Sequence, residues 1–480
     1  MPDLRKLNTF ALTLLITGAI DSIRNLPASA LFGSALIFFF IFAAIMFLIP
    51  SALVSAELAA NVDEGGIYQW GRLAFGERIG FLAVWLQWIN NIVWFPTILS
   101  FIAGTAAYLV DPSLAQNKVY LVSVILSSFW FLTLLNLKGI RVSARFTSLC
   151  AMMGLIIPIT LIIGLLVAWI MLGKPLQIQL TAASILPHLS TSQNWIAMTA
   201  IMLGFSGMEL ATVHIKDVNQ PQTTFPKALA YSTTIILITM MLGSLAIAFV
   251  LPHNQINLVS GTIQTFAYFL TAYHLNWLTP IMTVMLVTGS LGGILSWVIS
   301  PIKGLAQAAS FGFLPPFFEK ENQHGVPHNL LITQAVLVSI ACLAFLFFPG
   351  VNASYWLLTA LSTQLYMIMY VLMFLSALRL RAKAAHHHQR GFVIPGKKTG
   401  LWLVCLTGLI GCAITLLVGF IPPDNMAIGN KFYYEILFCG GMAVMTLPIL
   451  FFYRYQSKKS AHISPQPSQL ILNPETNAGM

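Results

Sequence analysis

The sequence predicts an all-α polytopic membrane protein. Three observations predict it: too few charges for water, apolar runs of spanning length, and a one-sided placement of the basic residues. Of 480 residues only 8% are charged and 58% are hydrophobic, whereas a soluble domain carries about 25% charged side chains. A soluble globular enzyme is therefore excluded, and intrinsic disorder and a disulfide-rich secreted scaffold fall with it. The net charge of +10 would suggest nucleic acid on a soluble chain. Here the position of the charges accounts for it, and no nucleic-acid partner is needed.

A spanning helix takes about 20 apolar residues. On that ruler the chain predicts 12 transmembrane helices, at 9–34, 35–56, 80–110, 119–136, 146–171, 194–215, 227–251, 277–301, 328–348, 354–378, 400–421 and 432–453. Only helices satisfy their own backbone in hydrocarbon, and these runs are too long for barrel strands. Twenty Lys and Arg fall in one alternate set of loops, and three (Lys118, Lys174, Lys431) in the other. By the positive-inside rule both termini are cytoplasmic, which requires an even number of spans. The first span is too long for a signal h-region and is expected to be retained. Residues 1–8 then form a cytoplasmic N-terminus, and 454–480 a polar cytoplasmic tail with the composition of a disordered segment.

Two spans are interrupted at their middles. In the first, Gly18-Ala19-Ile20-Asp21-Ser22-Ile23-Arg24-Asn25-Leu26-Pro27 breaks an apolar helix; in the sixth, Gly204-Phe205-Ser206-Gly207-Met208-Glu209 does the same. First and sixth is the spacing of two five-helix repeats with inverted topology, about 9–171 and 194–378, followed by two further helices at 400–453. Discontinuous helices in corresponding positions point to a transporter's central site. Unwinding leaves N–H groups for an anion and carbonyls for a cation, which suits a zwitterion. Ordinary Gly and Pro kinks are the competing reading, and the matched pair weighs against it.

Arg24 lies some fifteen residues into the first span, where a charge costs roughly 2.5–3.5 kcal/mol. Three readings stay open: an internal pair with Asp21, contact with an anionic substrate group, or solvation near the cytoplasmic end. The five cysteines (Cys150, Cys342, Cys405, Cys412, Cys439) all fall in predicted spans without metal-ligand spacing and read as packing residues. No cofactor is expected.

The chain resembles the bacterial glutamate/γ-aminobutyrate antiporters of the amino acid–polyamine–organocation superfamily. The likeness rests on Ile49-Pro50 with Ala56-Glu57-Leu58-Ala59, Glu64-Gly65-Gly66-Ile67-Tyr68-Gln69-Trp70, Leu251-Pro252 with Ile256-Asn257-Leu258, Gln264-Thr265-Phe266, Ser296-Trp297 with Pro301 and Lys303-Gly304, Leu314-Pro315, Gly325-Val326-Pro327, Ile394-Pro395-Gly396 and Pro422-Pro423-Asp424-Asn425. Gly207-Met208-Glu209 matches the superfamily's Gly-x-Glu break.

The resemblance implies a LeuT-like 5+5 inverted repeat plus two C-terminal helices, exchanging amino acids by alternating access in a bacterial inner membrane, as a monomer or homodimer. It also implies that Asp21, Ser22 and Ile23, with Ser206, Gly207 and Met208, bind the substrate backbone. Phe205 then takes the place of an aromatic that closes over the substrate, with Trp297 and Tyr366 as its eighth- and tenth-span counterparts. Two departures bear on specificity. Relatives carry Tyr where Arg24 stands, and a Glu where Gly293 stands, so the pocket is expected to suit a more anionic or a bulkier side chain.

Weaker signals complete the set. Glu57 and Glu64 frame a loop with Arg72 and Arg78 beyond, either as gating ion pairs or as a solvated interfacial helix. Glu209 reads as structural or gating in preference to a proton carrier. His386-His387-His388 lie in the most basic loop, to be read as solvated, proton-sensing or an adventitious metal site. The competing functions are an ion-coupled amino-acid permease on the same fold and, more remotely, a receptor or scaffold. No HExxH, Gly-x-Ser-x-Gly or paired intramembrane carboxylates support an enzyme.

Overall fold

The computed structural model describes residues 7–62, 66–139, 144–187, 192–210, 212, 218–309, 311–383, 391–424 and 430–462. Helices carry nearly all of the regular structure there, apart from a single parallel bridge between Leu7 and Val218. In chain order they are α1 (Thr9–Ile20), α2 (Leu26–Ala30), α3 (Gly33–Asn61), α4 (Ile67–Phe75), α5 (Glu77–Leu109), α6 (Lys118–Leu137), α7 (Leu149–Met171), α8 (Ala197–Gly204), α9 (Gln222–Val250), α10 (Gly261–Ala272), α11 (Asn276–Ala306), α12 (His328–Phe347), α13 (Val351–Lys383), α14 (Lys397–Val418) and α15 (Lys431–Ser457). Ten of them, α3, α5, α6, α7, α9 and α11 to α15, are long and apolar enough to cross a membrane. The first and sixth expected spans are not in that set, because α1 stops after 12 residues and α8 after 8.

Local sequence explains the irregularities in the long helices. Ala44–Leu48 and Met152–Ile156 widen into π turns, each followed at once by Ile-Pro. Proline offers no N–H and its ring crowds the carbonyl four residues back, so the ladder slips by one residue there.

Burial separates inner from outer helices. The most apolar stretch of α13 is 83% buried and that of α5 72%, whereas that of α15 is 11% buried. The two middle columns of the bundle are therefore α5 and α13. Four of the five cysteines are buried, as packing residues should be; Cys439, on α15, faces outward.

Small residues bring α7 and α11 into backbone contact, as glycine does elsewhere in membrane bundles. A Cβ at Gly289 would lie 2.2 Å from Gly154 N, and one at Gly292 would lie 2.1 Å from Cys150 Sγ. By contrast, a Cβ at Gly164 would meet nothing within 4 Å. Gly289→Val is expected to cost about 2 kcal/mol or more through overpacking, lowering the melting temperature of the detergent-solubilised protein, while Gly164→Val leaves it within a degree or two. Equal melting temperatures for the two variants would contradict the close crossing.

Candidate functional site

The first break follows from Asp21 and Ser22, whose short polar side chains compete with the helical backbone. The last regular hydrogen bond of α1 runs from Asp21 N–H to Thr17 O, and both Asp21 and Ser22 are extended. The Asp21 carboxylate accepts from Thr239 Oγ1 at 2.7 Å and from the backbone at Ser22. Helical structure resumes as a 3₁₀ turn at Ile23–Asn25 and then α2, with Pro27 in its first turn, where no N–H is needed. Among the described residues the N–H groups of Ile23 and Arg24 have no backbone acceptor, while Ile23 O accepts from Thr262 Oγ1 at 2.9 Å.

Arg24 is 2% exposed. One terminal nitrogen donates to Thr97 Oγ1, the guanidinium sits 5.0 Å from the centre of the Trp94 ring, and Tyr355 bonds it from α13. Its Nε has no hydrogen-bond partner. Asp21 and Arg24 form no ion pair, so the internal pairing considered from sequence is not made. That pairing assumed a helix running through both residues, and the extended segment removes the shared face.

The second break begins where α8 ends at Gly204. Ser206 N–H donates to Leu203 O at 3.2 Å, and its hydroxyl returns to Met202 O at 2.8 Å. Gly207 has φ +122°, a conformation that side chains with a Cβ rarely adopt, and its N–H donates to the Tyr370 hydroxyl at 2.6 Å. A Cβ on Gly207 would come within 3.1 Å of Ile20 Cγ1, so the two breaks are in direct contact. Met208 is fully buried, and its N–H has no backbone acceptor among the described residues. Glu209, 1% exposed, accepts from Tyr366 at 2.6 Å, from Gln87 at 3.3 Å and from Tyr370. All of these donors are neutral.

The structure thus gathers Asp21, Ser22, Ile23 and Arg24 beside Ser206, Gly207, Met208 and Glu209, with Tyr366 bonded to Glu209. Trp297 joins through Trp94, ring centres 5.5 Å apart. Gly293 lies one helical turn before Trp297, and a Cβ there would meet nothing within 4 Å. Phe205 is fully buried and packs edge-on against Phe40 at 5.7 Å.

Glu57 belongs to a different cluster. Its Oε1 lies 3.3 Å from Arg381 Nε, and its Oε2 accepts from Ile394 N–H at 2.8 Å. The pair is buried, which removes the solvated-helix reading, and the partner is neither of the arginines expected from sequence. Arg72 stacks on Phe311 and Arg78 bonds Ser457. Glu64, His386-His387-His388 and the tail beyond 462 lie outside the described residues.

Several residues at the breaks were not singled out from sequence: Gln87, Trp94 and Thr97 on α5, Thr239 on α9, Tyr355 and Tyr370 on α13. A signal existed for two of those helices. Gln87, Asn90, Asn91, Trp94 and Thr97 share one face of α5, and Tyr355, Thr359, Thr363, Tyr366 and Tyr370 share one face of α13.

The bundle holds a polar centre where α1 and α8 end short among helices long and apolar enough to cross a membrane. Residues 7–443 match the family model described as amino acid permease, and the chain belongs to that family, within the amino acid–polyamine–organocation superfamily. It is 40% identical to an uncharacterized transporter of Legionella pneumophila over 447 residues, 93% of this chain and 96% of that one. It is 27% identical to a glutamate/gamma-aminobutyrate antiporter of Lactococcus lactis, covering 96% and 93%. Among solved structures, a manganese transporter of Eremococcus coleocola shares the fold with a TM-score of 0.58, at 14% identity and covering 94% and 95% of the two chains. The protein is therefore a multi-pass membrane transporter and not an enzyme.

Removing one partner of a buried ion pair leaves an uncompensated charge. Arg381→Ala and Glu57→Ala are each expected to destabilise by about 3 kcal/mol, and the double variant by less than their sum, with a coupling of about 1 kcal/mol or more. A double-mutant cycle on denaturation in mild detergent checks this; additive losses would contradict the pair.

Proposed function

We propose that the protein is an amino-acid antiporter working by alternating access, with the substrate's backbone carboxylate and ammonium held between the two breaks. One observation carries the reading: the segments that follow α1 and α8, each with N–H groups that have no backbone acceptor among the described residues, come together where Gly207 meets Ile20 at the end of α1. The Ile23, Arg24 and Met208 N–H groups suit the carboxylate, and Asp21, whose Oδ1 has no partner among the described residues, suits the ammonium. Tyr366 and Trp297 line the same centre from α13 and α11. The identity to the Lactococcus antiporter over nearly the whole chain supports exchange over ion-coupled uptake.

In this reading α1–α2 and the segment through α8 complete a set of 12 spans, with the first and sixth discontinuous. Residues 9–378 form the transport core, as repeats of about 9–171 and 194–378. Residues 400–453 are appended to it, and both termini are cytoplasmic. Glu209 locks the second break through Tyr366 and Tyr370, and the Glu57–Arg381 pair closes a peripheral end of the bundle.

Purified protein in liposomes is expected to take up labelled amino acid at least tenfold faster when the lumen is preloaded with unlabelled substrate. Gly207→Val should abolish that counterflow while leaving the protein monodisperse. Uptake that needs an imposed proton or sodium gradient, and ignores internal amino acid, would sink the antiport reading.

A further inference from the structure

Where α5 begins and α15 ends, Arg78 and Arg454 line a recess of about 550 Å³ together with Phe451, Tyr453, Tyr455 and Ser457. Both arginines are exposed, and neither forms an ion pair among the described residues. The acid beside Arg78 in the chain, Glu77, instead accepts from Gln456 at 3.4 Å. Bonds between the two helices hold the recess in shape. The Tyr453 hydroxyl donates to Arg78 O at 2.6 Å, and the Arg78 guanidinium donates to Ser457 Oγ at 3.0 Å. Behind them Phe452 packs on Trp85 with ring centres 5.3 Å apart, and Trp85 Nε1 donates to Met445 O at 2.9 Å. The inner face of α15 is thereby fixed on α5.

The outer face of α15 has a different character. Ile436, Gly440, Val444, Leu447 and Phe451 follow one another at spacings of three and four residues, and each of the four large side chains is more than half exposed. Such spacing places them on one side of a helix. Arg454 comes three residues after Phe451 and continues the same side. The strip is therefore apolar along the span and cationic where it runs out. A free anion would use only the arginines, and a neutral lipid only the apolar strip. A molecule with an acyl chain and an anionic head uses both.

We propose that this recess is a binding site for an anionic phospholipid, with its phosphate between Arg78 and Arg454 and one acyl chain along the outer face of α15. Guanidinium groups present paired donors that match phosphate oxygens, and basic pockets between spanning helices at the membrane surface hold lipid head groups by this chemistry. Tyr453 and Ser457 are positioning residues, which keep Arg78 turned toward α15. The site stands apart from the two breaks and does not depend on what is transported.

The test uses the full-length protein in detergent, mixed with equal amounts of palmitoyl-oleoyl phosphatidylglycerol and phosphatidylcholine, with retained lipid read by native mass spectrometry. The wild type is expected to retain the phosphatidylglycerol roughly tenfold or more over the phosphatidylcholine, the order that two basic side chains near an anionic surface supply. Arg78→Gln with Arg454→Gln should bring that ratio to about one, and Phe451→Ala should lower retention of both lipids. Lys138→Gln with Lys398→Gln removes the same charge from exposed positions outside the recess and should leave the ratio unchanged. Equal retention of the two lipids by the wild type would overturn the proposal, as would equal losses in the two double variants. Displacement of the phosphatidylglycerol by millimolar glycerol phosphate alone would show a free-anion site and overturn the acyl-chain part. A lipid-free dimer that Phe451→Ala dissociates would give the strip to a second copy of the chain and overturn it as well.

Discussion

A helix interrupted inside a membrane bundle leaves peptide groups that lipid cannot satisfy, and the centre of this protein is arranged around that constraint. The response is α13, whose polar face stays buried along its length. Tyr355 holds the first break through Arg24, and Tyr370 holds the second through Gly207 N–H and Glu209. Thr363 donates to Thr199 O on α8 at 3.0 Å, just before the second break. Opposite it, α5 contributes Thr97 and Gln87 to the same two centres. Because these tyrosines hydrogen-bond while burying a large apolar ring, they stabilise open backbone without admitting a network of charges.

Two kinds of buried charge then separate by what surrounds them. Glu57 and Arg381 have each other, with Ile394 N–H completing the carboxylate; such a pair is self-sufficient and ties the end of α3 to the end of α13. Among the described residues Arg24 and Glu209 have only neutral partners, and they lie at the two breaks. A charge fixed by dipoles keeps capacity for a further ligand that a paired charge has already spent. At Arg24 the same geometry leaves Nε without a hydrogen-bond partner among the described residues.

The ends of α1 and α8 were legible in the sequence because their causes are local. Asp21 and Ser22 compete with a helix, Pro27 permits one to restart, and Gly207 takes up a φ of +122°. The inner faces of α5 and α13 were written there too, as polar residues three and four apart, yet they do not interrupt an apolar run and so gave no boundary signal. Partnership was less legible than position. The Asp21–Arg24 pairing failed because i, i+3 proximity holds only where the helix persists. Glu57 finds Arg381 far along the chain, a contact set by tertiary packing, and neither local charge pattern nor loop position specifies it. Phe205, matched by resemblance to a closing aromatic, packs against Phe40, a contact that only the three-dimensional neighbours determine.

The central claim is that unbonded peptide groups at the two breaks face water and substrate inside the bundle. Thiol accessibility at those positions tests it most directly, with Ser22→Cys and Met208→Cys introduced singly into a cysteine-free background. A polar, membrane-impermeant thiol reagent should label both, and an exchanged amino acid should slow the labelling, while Val167→Cys on the outer face of α7 stays inert. Break positions as unreactive as Val167→Cys, or reactive without protection by any exchanged amino acid, would contradict the account.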